Sequence, residues 1–398
     1  MEAYLFEVLH LILRYFHMVA GIAWIGASFY FIWLDNHLEE PPQWKKDKGV
    51  KGDLWAIHGG GFYEVAKYAN GPEAMPGNLH WFKWEAYTTW LTGFFLFGLL
   101  YHVGADAYLL DADKSSIGTA AAVCISIGSL VAGWFIYDAL CRSPLVNNGL
   151  LFAAFIVCFI ALFAFILDKF FQDRAVYIHV GAVIGTCMVG NVFFNIMPSQ
   201  RYMVGEVMAG RTPDPKPGIM AKLRSTHNNY ATLPVLFIMI SNHFAFTFAH
   251  DYGWQVLVVL FIIGMWIRHY FNLKHRGVRK PSLFLSGFLA FLLLMAVIAP
   301  WRGGSETNNA KVQIEISDTQ AMRIVDRHCT ECHSATPRSN TFVAPPNGLI
   351  LDDLTVVKAT KDRIYNRAII AKDMPLANAT GMSDEERAIF GQWLEQLP

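Results

Sequence analysis

The sequence predicts an all-α protein, in which a polytopic membrane bundle of about eight transmembrane helices is followed by a small all-α domain. Hydrophobic residues make up 54% of the 398 residues and charged residues only 16%, which is far from the balance of a soluble protein. About eight apolar stretches are near twenty residues long, which is enough to cross a hydrocarbon core of about 30 Å. Beyond Pro300 the sequence becomes abruptly polar, which indicates a second, water-soluble domain.

The predicted spans occupy most of the chain before Pro300. They are 8–33, 85–103, 117–139, 148–167, 175–197, 230–249, 253–271 and 282–300. The first span is too long for a cleaved signal peptide and has no basic segment before it. Four cysteines stand singly in or beside these spans, so the sequence predicts no disulfide framework; they are Cys124, Cys141, Cys158 and Cys187.

The distribution of charge predicts the orientation of the spans. Lysine and arginine gather in the segments after the first, fifth and seventh spans, as they do in cytoplasmic loops. The loop after the second span is acidic instead, with Asp106, Asp111 and Asp113. We therefore expect a multi-pass protein in the lipid bilayer of a bacterial inner membrane, with both termini in the periplasm. The net charge of zero gives no indication of nucleic-acid binding.

Changes of composition divide the chain into three predicted parts. These are a membrane domain, 1–300, a polar linker, 301–315, and a C-terminal domain, 316–398. In the last part, Ser317 and Gln320 have the spacing of a capping box, which predicts the start of a helix there. Ser383 and Glu386 repeat this spacing and predict a final helix.

The run Cys329-Thr-Glu-Cys332-His333 in the C-terminal domain has the spacing of a covalent haem site. Two thiols on one turn can reach the two vinyl groups, and the adjacent imidazole is left for the iron. A zinc site would need a second ligand pair, and the other cysteines lie in or beside the spans. The domain is therefore predicted to be a class I-like cytochrome c that carries haem c. Its sixth iron ligand is predicted to be Met374 rather than Met382, because the proline after Met374 keeps it in an extended loop.

Four histidines fall at similar depth in the predicted periplasmic half of the spans. They are His17, His102, His179 and His243. Ionisable residues inside spans are costly and are therefore functional candidates. Glycines near His17 and His179 could admit a flat macrocycle, so we predict a haem b whose iron is ligated by members of this set. The alternative is that the glycines serve helix packing and the histidines bond to neighbouring helices.

A polar segment before the sixth span is a second candidate site. It reads Arg224-Ser-Thr-His227-Asn228-Asn229-Tyr230, and such side chains could recognise a planar, amide-rich molecule by its edge. Ser225 or Thr226 could instead merely cap the span. A weaker signal comes from His58-Gly-Gly-Gly61, where glycines could permit close approach of the backbone to a ligand, and from His80-Trp-Phe-Lys-Trp84-Glu85.

Several of these segments together resemble one known family. They are Leu13-Arg-Tyr-Phe-His17-Met-Val-Ala-Gly-Ile-Ala-Trp24-Ile-Gly26, His80-Trp-Phe-Lys-Trp84-Glu85-Ala-Tyr-Thr-Thr-Trp90, Ser225-Thr-His-Asn-Asn-Tyr230-Ala-Thr-Leu-Pro234 and the terminal CxxCH motif. The chain resembles the bacterial integral-membrane urate oxidases fused to cytochrome c, over essentially its whole length. The resemblance implies a role in purine degradation, as oxidation of urate to 5-hydroxyisourate, with electrons passed to cytochrome c and not directly to oxygen.

Topology and side-chain chemistry then predict the roles of individual residues. His227 is a suitable general base near neutral pH, and urate is expected at the cytoplasmic mouth of the bundle. The predicted catalytic set is His227, Asn228, Asn229 and Thr226, and the predicted substrate-binding set is Arg224, Tyr230, Trp84 and Glu85.

Electrons are expected to pass through the membrane haem to the haem at His333. The final acceptor is expected to be a soluble or membrane-bound cytochrome or terminal oxidase. Two other functions also fit the sequence. One is a membrane-anchored cytochrome that conducts electrons from quinol or a partner dehydrogenase, and the other is an enzyme of porphyrin oxidation.

Overall fold

The computed structural model describes residues 2–111, 114–299, 316–339 and 342–397. For residues 2 and 3 it describes the backbone only. The predicted linker 301–315 and the acidic loop residue Asp113 lie outside this part of the chain. The described residues are mostly helical, which confirms the principal feature of the predicted fold class.

Among the described residues, eight long helices, two of which have extensions, precede the C-terminal unit. They are α1 Glu2–His37, α2 Trp84–Phe97, α3 Thr119–Arg142, α4 Gly149–Leu167, α5 Asp173–Gly190, α6 Pro215–Ile240, α7 Gly253–His275 and α8 Pro281–Ile298. Helix α2 continues as a π-helix, Gly98–Val103, and α5 continues as a π-helix, Asn191–Ile196, and then as an α-helix, Met197–Met208. Shorter helical pieces connect them, namely Gln43–Lys46, Ala105–Tyr108, Pro144–Asn147, Ser241–His243 and Ala245–Phe248.

Six helices in the described part of the chain are long and apolar enough to cross a membrane. They are α1, α3, α4, α5 with its extension, α7 and α8, and they identify a membrane protein. The predicted number of about eight is therefore not confirmed. The helix at the predicted span 85–103 has 14 α-helical residues and then continues as a π-helix. The helix at the predicted span 230–249 ends at Ile240 and also contains the polar residues that precede the span. Both helices nevertheless pack within the bundle, α2 against α1 and α6 against α7.

A β-hairpin after α1 corrects the prediction of a purely α-helical protein. Strands β1 Val50–His58 and β2 Gly61–Tyr68 pair antiparallel, and His58 stands opposite Gly61. Gly59 and Gly60, with φ of 58° and 81°, form the two-residue turn. A Gly-Gly pair suits such a turn because both central residues need positive φ. The glycines that the sequence analysis associated with a ligand thus have a structural reason.

Helix α5 lies at the centre of the bundle. Of the 18 most apolar consecutive residues in α5 and its extension, 61% are buried inside the protein, against 6% for α1. Its side chains contact α3 and α6, and one cluster of buried apolar residues extends through these helices and α4. Burial of this apolar surface holds the helices around α5 together, and polar groups placed there must find partners inside the protein.

Two glycines of α5 give a matched test of this packing. A Cβ on Gly181 would lie 2.5 Å from Cγ2 of the buried Ile238, whereas nothing lies within 4 Å of a Cβ on Gly185. We expect Gly181→Ala to lower the free energy of unfolding by about 1–3 kcal/mol through overpacking. Gly185→Ala should be neutral or stabilising by up to about 1 kcal/mol, because alanine favours a helix. Unfolding of both variants in detergent measures the difference, and equal effects would contradict this account.

The C-terminal unit is built around two longer helices. Helix α9 covers Asp318–His328 and α10 covers Asp384–Gln396. Both predicted capping boxes are present, at Ser317 and at Ser383. Between these helices lie short pieces, Pro346–Gly348, Leu354–Ala359, Lys361–Ile364, Tyr365–Ile370 and Leu376–Asn378. Val325 of α9 packs with Phe390 of α10 in a core of its own.

Candidate functional site

A buried ion pair is the first feature of the polar segment on α6. Arg224 is 1% exposed, and its Nη2 donates to Oδ1 of Asp138 on α3 at 2.6 Å. Its Nη1 donates to Oδ1 of Asn191, at the end of α5, at 3.1 Å. Nε of Arg224 has no hydrogen-bond partner among the described residues. Because Arg224 already faces a carboxylate, its role in holding an anionic substrate stays a prediction.

Asn191 extends these contacts into a network. Its Nδ2 donates to Oδ1 of Asn228 and to the hydroxyl of Tyr137, both at 2.8 Å. Asn228 in turn donates through Nδ2 to the carbonyl of Met188 at 2.9 Å. The network therefore uses both polar atoms of the Asn228 amide. We call these residues, together with Arg224, Asp138 and His227, the Arg224 network.

His227 completes the Arg224 network. Its Nδ1 lies 3.0 Å from the hydroxyl of Tyr137 and 3.6 Å from Sγ of Cys141, and its ring stacks on Phe152 at 4.7 Å between centroids. The Tyr137 oxygen accepts from Asn191, so its single proton is available to Nδ1. With Nδ1 accepting that proton, a neutral His227 carries its own proton on Nε2. A general base needs an unprotonated nitrogen facing the substrate, so this role of His227 stays a prediction.

The next two residues of α6 face away from this network. Asn229 is fully buried, and its Oδ1 accepts from Nε of Arg268 on α7 at 2.8 Å. The hydroxyl of Tyr230 lies 2.6 Å from Nδ1 of His269, also on α7. Successive residues of a helix point about 100° apart, so α6 itself separates Asn229 from His227. The structure therefore divides the predicted substrate site between two faces of one helix.

The remaining predicted substrate-site residues lie apart from these contacts. The hydroxyl of Thr226 donates to the carbonyl of Lys222, one turn earlier on α6, at 2.9 Å. Trp84 begins α2, is 63% exposed and contacts Tyr87. Glu85 has a buried Oε2 without a hydrogen-bond partner in the described ranges. Their predicted roles in binding and catalysis stay predictions.

The structure brings together two of the four membrane histidines. Ser126 Oγ of α3 lies 2.9 Å from Nε2 of His102 and 2.8 Å from Nε2 of His179. Nδ1 of His179 lies 2.7 Å from the carbonyl of Ala175 and donates to it. Nε2 of His179 therefore accepts the serine proton, and the serine oxygen accepts from His102. These are the satisfied hydrogen bonds that the packing alternative predicts.

The four histidines do not fit one haem as they are packed. The rings of Phe97 and Phe171 lie 4.6 and 4.8 Å from the fully buried ring of His179, where a porphyrin would have to enter. His17 bonds elsewhere, to the carbonyl of Thr89 at 2.9 Å. His243 is exposed in the short helix Ser241–His243 after α6. Haem b stays a prediction.

The CxxCH residues fit a covalent haem better. Cys329 and Cys332 are both free thiols, and Nδ1 of His333 lies 3.1 Å from the carbonyl of Leu349. A proton on Nδ1 shared with that carbonyl leaves Nε2 free for an iron. Burial raises the pKa of Cys329 to about 12 and also raises that of Cys332. A structural zinc site needs four ligands, and the described residues contain no cluster of three or more His, Cys, Asp or Glu side chains.

The two candidate methionines have different surroundings. Met382 is 3% exposed and belongs to the apolar core of the C-terminal unit, so its burial has a structural reason. Met374 lies outside that buried core, and its carbonyl accepts from Nη1 of Arg387 at 2.7 Å. This bond anchors the backbone of Met374 next to α10. The assignment of Met374 as an iron ligand stays a prediction.

The C-terminal unit contacts the end of the bundle at which α1 and α5 begin. The backbone N–H of Val343 donates to Oε1 of Glu7 at 3.4 Å, and the short helix Ala105–Tyr108 packs against the turn Leu376–Asn378. Burial raises the pKa of Asp373, while the positive charges of Arg367 and Arg174 oppose that rise. Arg174 belongs to α5, so an electrostatic interaction also joins the two parts of the chain. His102 and His179 lie in the same half of the bundle.

These features define a class: a polytopic helical membrane protein with a buried polar network around one helix. The comparisons with known proteins define it further. A family model described as "Urate oxidase N-terminal" matches residues 3–299, which is most of the chain. The chain belongs to this urate oxidase family, and the match indicates an oxidoreductase that acts on urate. Searches of curated proteins and of solved structures find no match.

Proposed function

We propose that this protein oxidises urate to 5-hydroxyisourate in the membrane and delivers the electrons to a haem c in its own C-terminal domain. The family match over residues 3–299 supports urate as the substrate, and the CxxCH motif at Cys329–His333 supports haem c as the electron acceptor. We place the domain in the periplasm of a bacterial inner membrane, because the basic segments lie at the opposite ends of the helices. From the haem, electrons would pass to a cytochrome or terminal oxidase of the respiratory chain.

The reaction requires water and an electron acceptor. Urate and one water give 5-hydroxyisourate, two protons and two electrons, and the new bond joins the water oxygen to a ring carbon. A base that takes a proton from this water would accelerate the attack. Histidines stand on both sides of α6, His227 in the Arg224 network and His269 and His275 on α7. A histidine on the side that holds urate would act as the base.

The haem c would be held by residues whose geometry already suits it. Cys329 and Cys332 would carry the thioether bonds, and His333, oriented by the carbonyl of Leu349, would ligate the iron. When bound, this group supplies a one-electron carrier that can be oxidised again outside the membrane. At the contact between Val343 and Glu7, the C-terminal unit meets the end of the bundle at which α1 begins.

The stoichiometry of electrons tests the proposed function. Purified protein with ferricyanide as a one-electron acceptor and without oxygen should consume two ferricyanide per urate, because the oxidation releases two electrons. Urate loss and ferricyanide reduction are followed together by absorbance. In air without ferricyanide, hydrogen peroxide should not form in proportion to the urate lost. Stoichiometric peroxide would show direct transfer to oxygen and would contradict the proposal.

A further inference from the structure

A pocket lies on the face of α6 that carries Asn229. Its volume is about 420 Å³, within the range of small-molecule sites. It lies among α1, α6 and α7, towards the ends of α1 and α7 and the basic segments that follow them. Its walls include Phe29, Tyr30 and Trp33 of α1 and Arg268, Phe271 and His275 of α7. We call it the Arg268 pocket.

Arg268 is the one charged side chain in the wall that is deeply buried, with 4% of its surface exposed. Its Cζ lies 4.1 Å from the centroid of Phe29, and its Nε donates to Oδ1 of Asn229 at 2.8 Å. Its Nη2 is buried and has no hydrogen-bond partner in the described part of the chain. A buried guanidinium without an anion is costly. An anionic ligand in the pocket would supply the missing acceptor.

Asn229 fixes the direction of this guanidinium. The asparagine is fully buried and connects two helices, because its Nδ2 donates to Oγ of Ser28 on α1 at 3.4 Å while Oδ1 accepts from Arg268 on α7. The arginine is therefore held from one side and is not free to rotate into water. A cation oriented in advance binds an anion with little loss of side-chain entropy.

The shape of the pocket suits a flat ring. Aromatic side chains stand on both sides, Phe29, Tyr30 and Trp33 on α1 and Phe271 on α7. Aromatic faces stack with planar rings, and urate is planar and anionic near neutral pH. We propose that the Arg268 pocket binds the urate anion between these rings, with a urate oxygen or nitrogen accepting from Nη2 of Arg268. The inference rests on the proposed function and specifies its substrate site.

This inference changes which cation holds the substrate. Arg224, predicted from the sequence, is paired with Asp138, whereas Arg268 keeps an unpartnered Nη2. Asn229 retains a place at the site, as a positioning residue that acts through Arg268. His275 lines the pocket, and its ring lies 5.4 Å from that of His37. It is the histidine among the lining residues, so we assign it the role of base for a substrate held there.

Urate binding by the full chain tests the proposal. Radiolabelled urate is dialysed against protein in nanodiscs of uncharged phosphatidylcholine. Arg268→Gln should weaken binding at least about tenfold, as expected when a charged hydrogen bond is lost. Trp33→Leu removes an aromatic wall and leaves the Arg268–Asn229 bond intact, and it should also weaken binding. Arg276→Gln, an exposed arginine just beyond α7, is the matched control and should stay within about twofold of wild type.

The outcomes separate this inference from the proposed function. If the wild type neither binds nor oxidises urate, the proposed function fails. If the wild type does both, thermal unfolding shows that Arg268→Gln and Trp33→Leu are folded, and both variants bind urate as tightly as the wild type, the inference alone is overturned. Native mass spectrometry tests whether an anionic lipid, and not urate, occupies the Arg268 pocket. An anionic lipid retained by the wild type and lost in Arg268→Gln, with unchanged urate affinity, would also overturn it.

Discussion

Replacing Arg224 by leucine should lower the free energy of unfolding by about 3–5 kcal/mol, because it removes one partner of a buried ion pair. Asp138, whose side chain is 15% exposed, would lose its buried partner at 2.6 Å, while Asn191 would lose a donor. The carboxylate would keep only the exposed Arg142 as a partner, which compensates little of its desolvation cost. The loss is measured by detergent-induced unfolding followed by tryptophan fluorescence.

The same carboxylate provides the control. Nε of Arg142 also donates to Asp138, through Oδ2 at 2.6 Å, but the side chain of Arg142 is 67% exposed. Exposed pairs contribute at most about 1 kcal/mol, so Arg142→Leu should change stability far less. The double variant Arg224→Leu/Asp138→Leu should recover much of the loss, since no buried charge remains unpaired and Arg142 is exposed to solvent. Equal effects of Arg142→Leu and Arg224→Leu would refute the buried ion pair.

The double variant Cys329→Ala/Cys332→Ala should contain none of the proposed covalently attached haem. Without both sulfurs no thioether can hold the macrocycle, whatever His333 contributes. The pyridine haemochrome spectrum of purified protein measures this, because c-type and b-type haem differ in their alpha band. Cys158→Ala, which removes an exposed cysteine of α4, is the matched control and should keep the c-type signal. Loss of that signal in the control, or its survival in the double variant, would contradict the assignment.

The same spectrum tests the predicted membrane haem. A b-type component that survives in the Cys329→Ala/Cys332→Ala variant would support ligation by membrane histidines. It would also require Phe97 and Phe171 to move away from His179, since their rings now pack against it. A wild-type spectrum of c-type haem alone would overturn the prediction and leave His102 and His179 as a hydrogen-bonded pair around Ser126.

Local signals in the sequence predicted much of the fold. Long apolar runs indicated the helices that cross the membrane, and the spacing of Ser317 with Gln320 and of Ser383 with Glu386 predicted two capped helix starts. The hairpin was missed although Gly59-Gly60 is a recognisable turn signal. A composition dominated by apolar helices left little reason to look for strands between them.

The division of the site could not be predicted in the same way. A polar run such as Arg224 to Tyr230 shows that a helix carries hydrogen-bonding groups, but neighbouring helices decide which face each group meets. Asp138 and Arg268 were missed, although ionisable residues inside predicted spans are functional candidates by default. Both residues lie inside predicted spans, 117–139 and 253–271, but the helices that they contact are set by the packing of the bundle.

The most direct test of the central claim is to mix the purified protein with urate in the absence of oxygen and to follow the alpha band of the proposed haem c. If the chain oxidises urate and passes electrons to the haem at His333, the alpha band should rise while urate absorbance falls, with up to two reducing equivalents per urate. Dithionite added afterwards gives the fully reduced reference. Urate that disappears without haem reduction, or a haem that dithionite reduces and urate does not, would contradict the account.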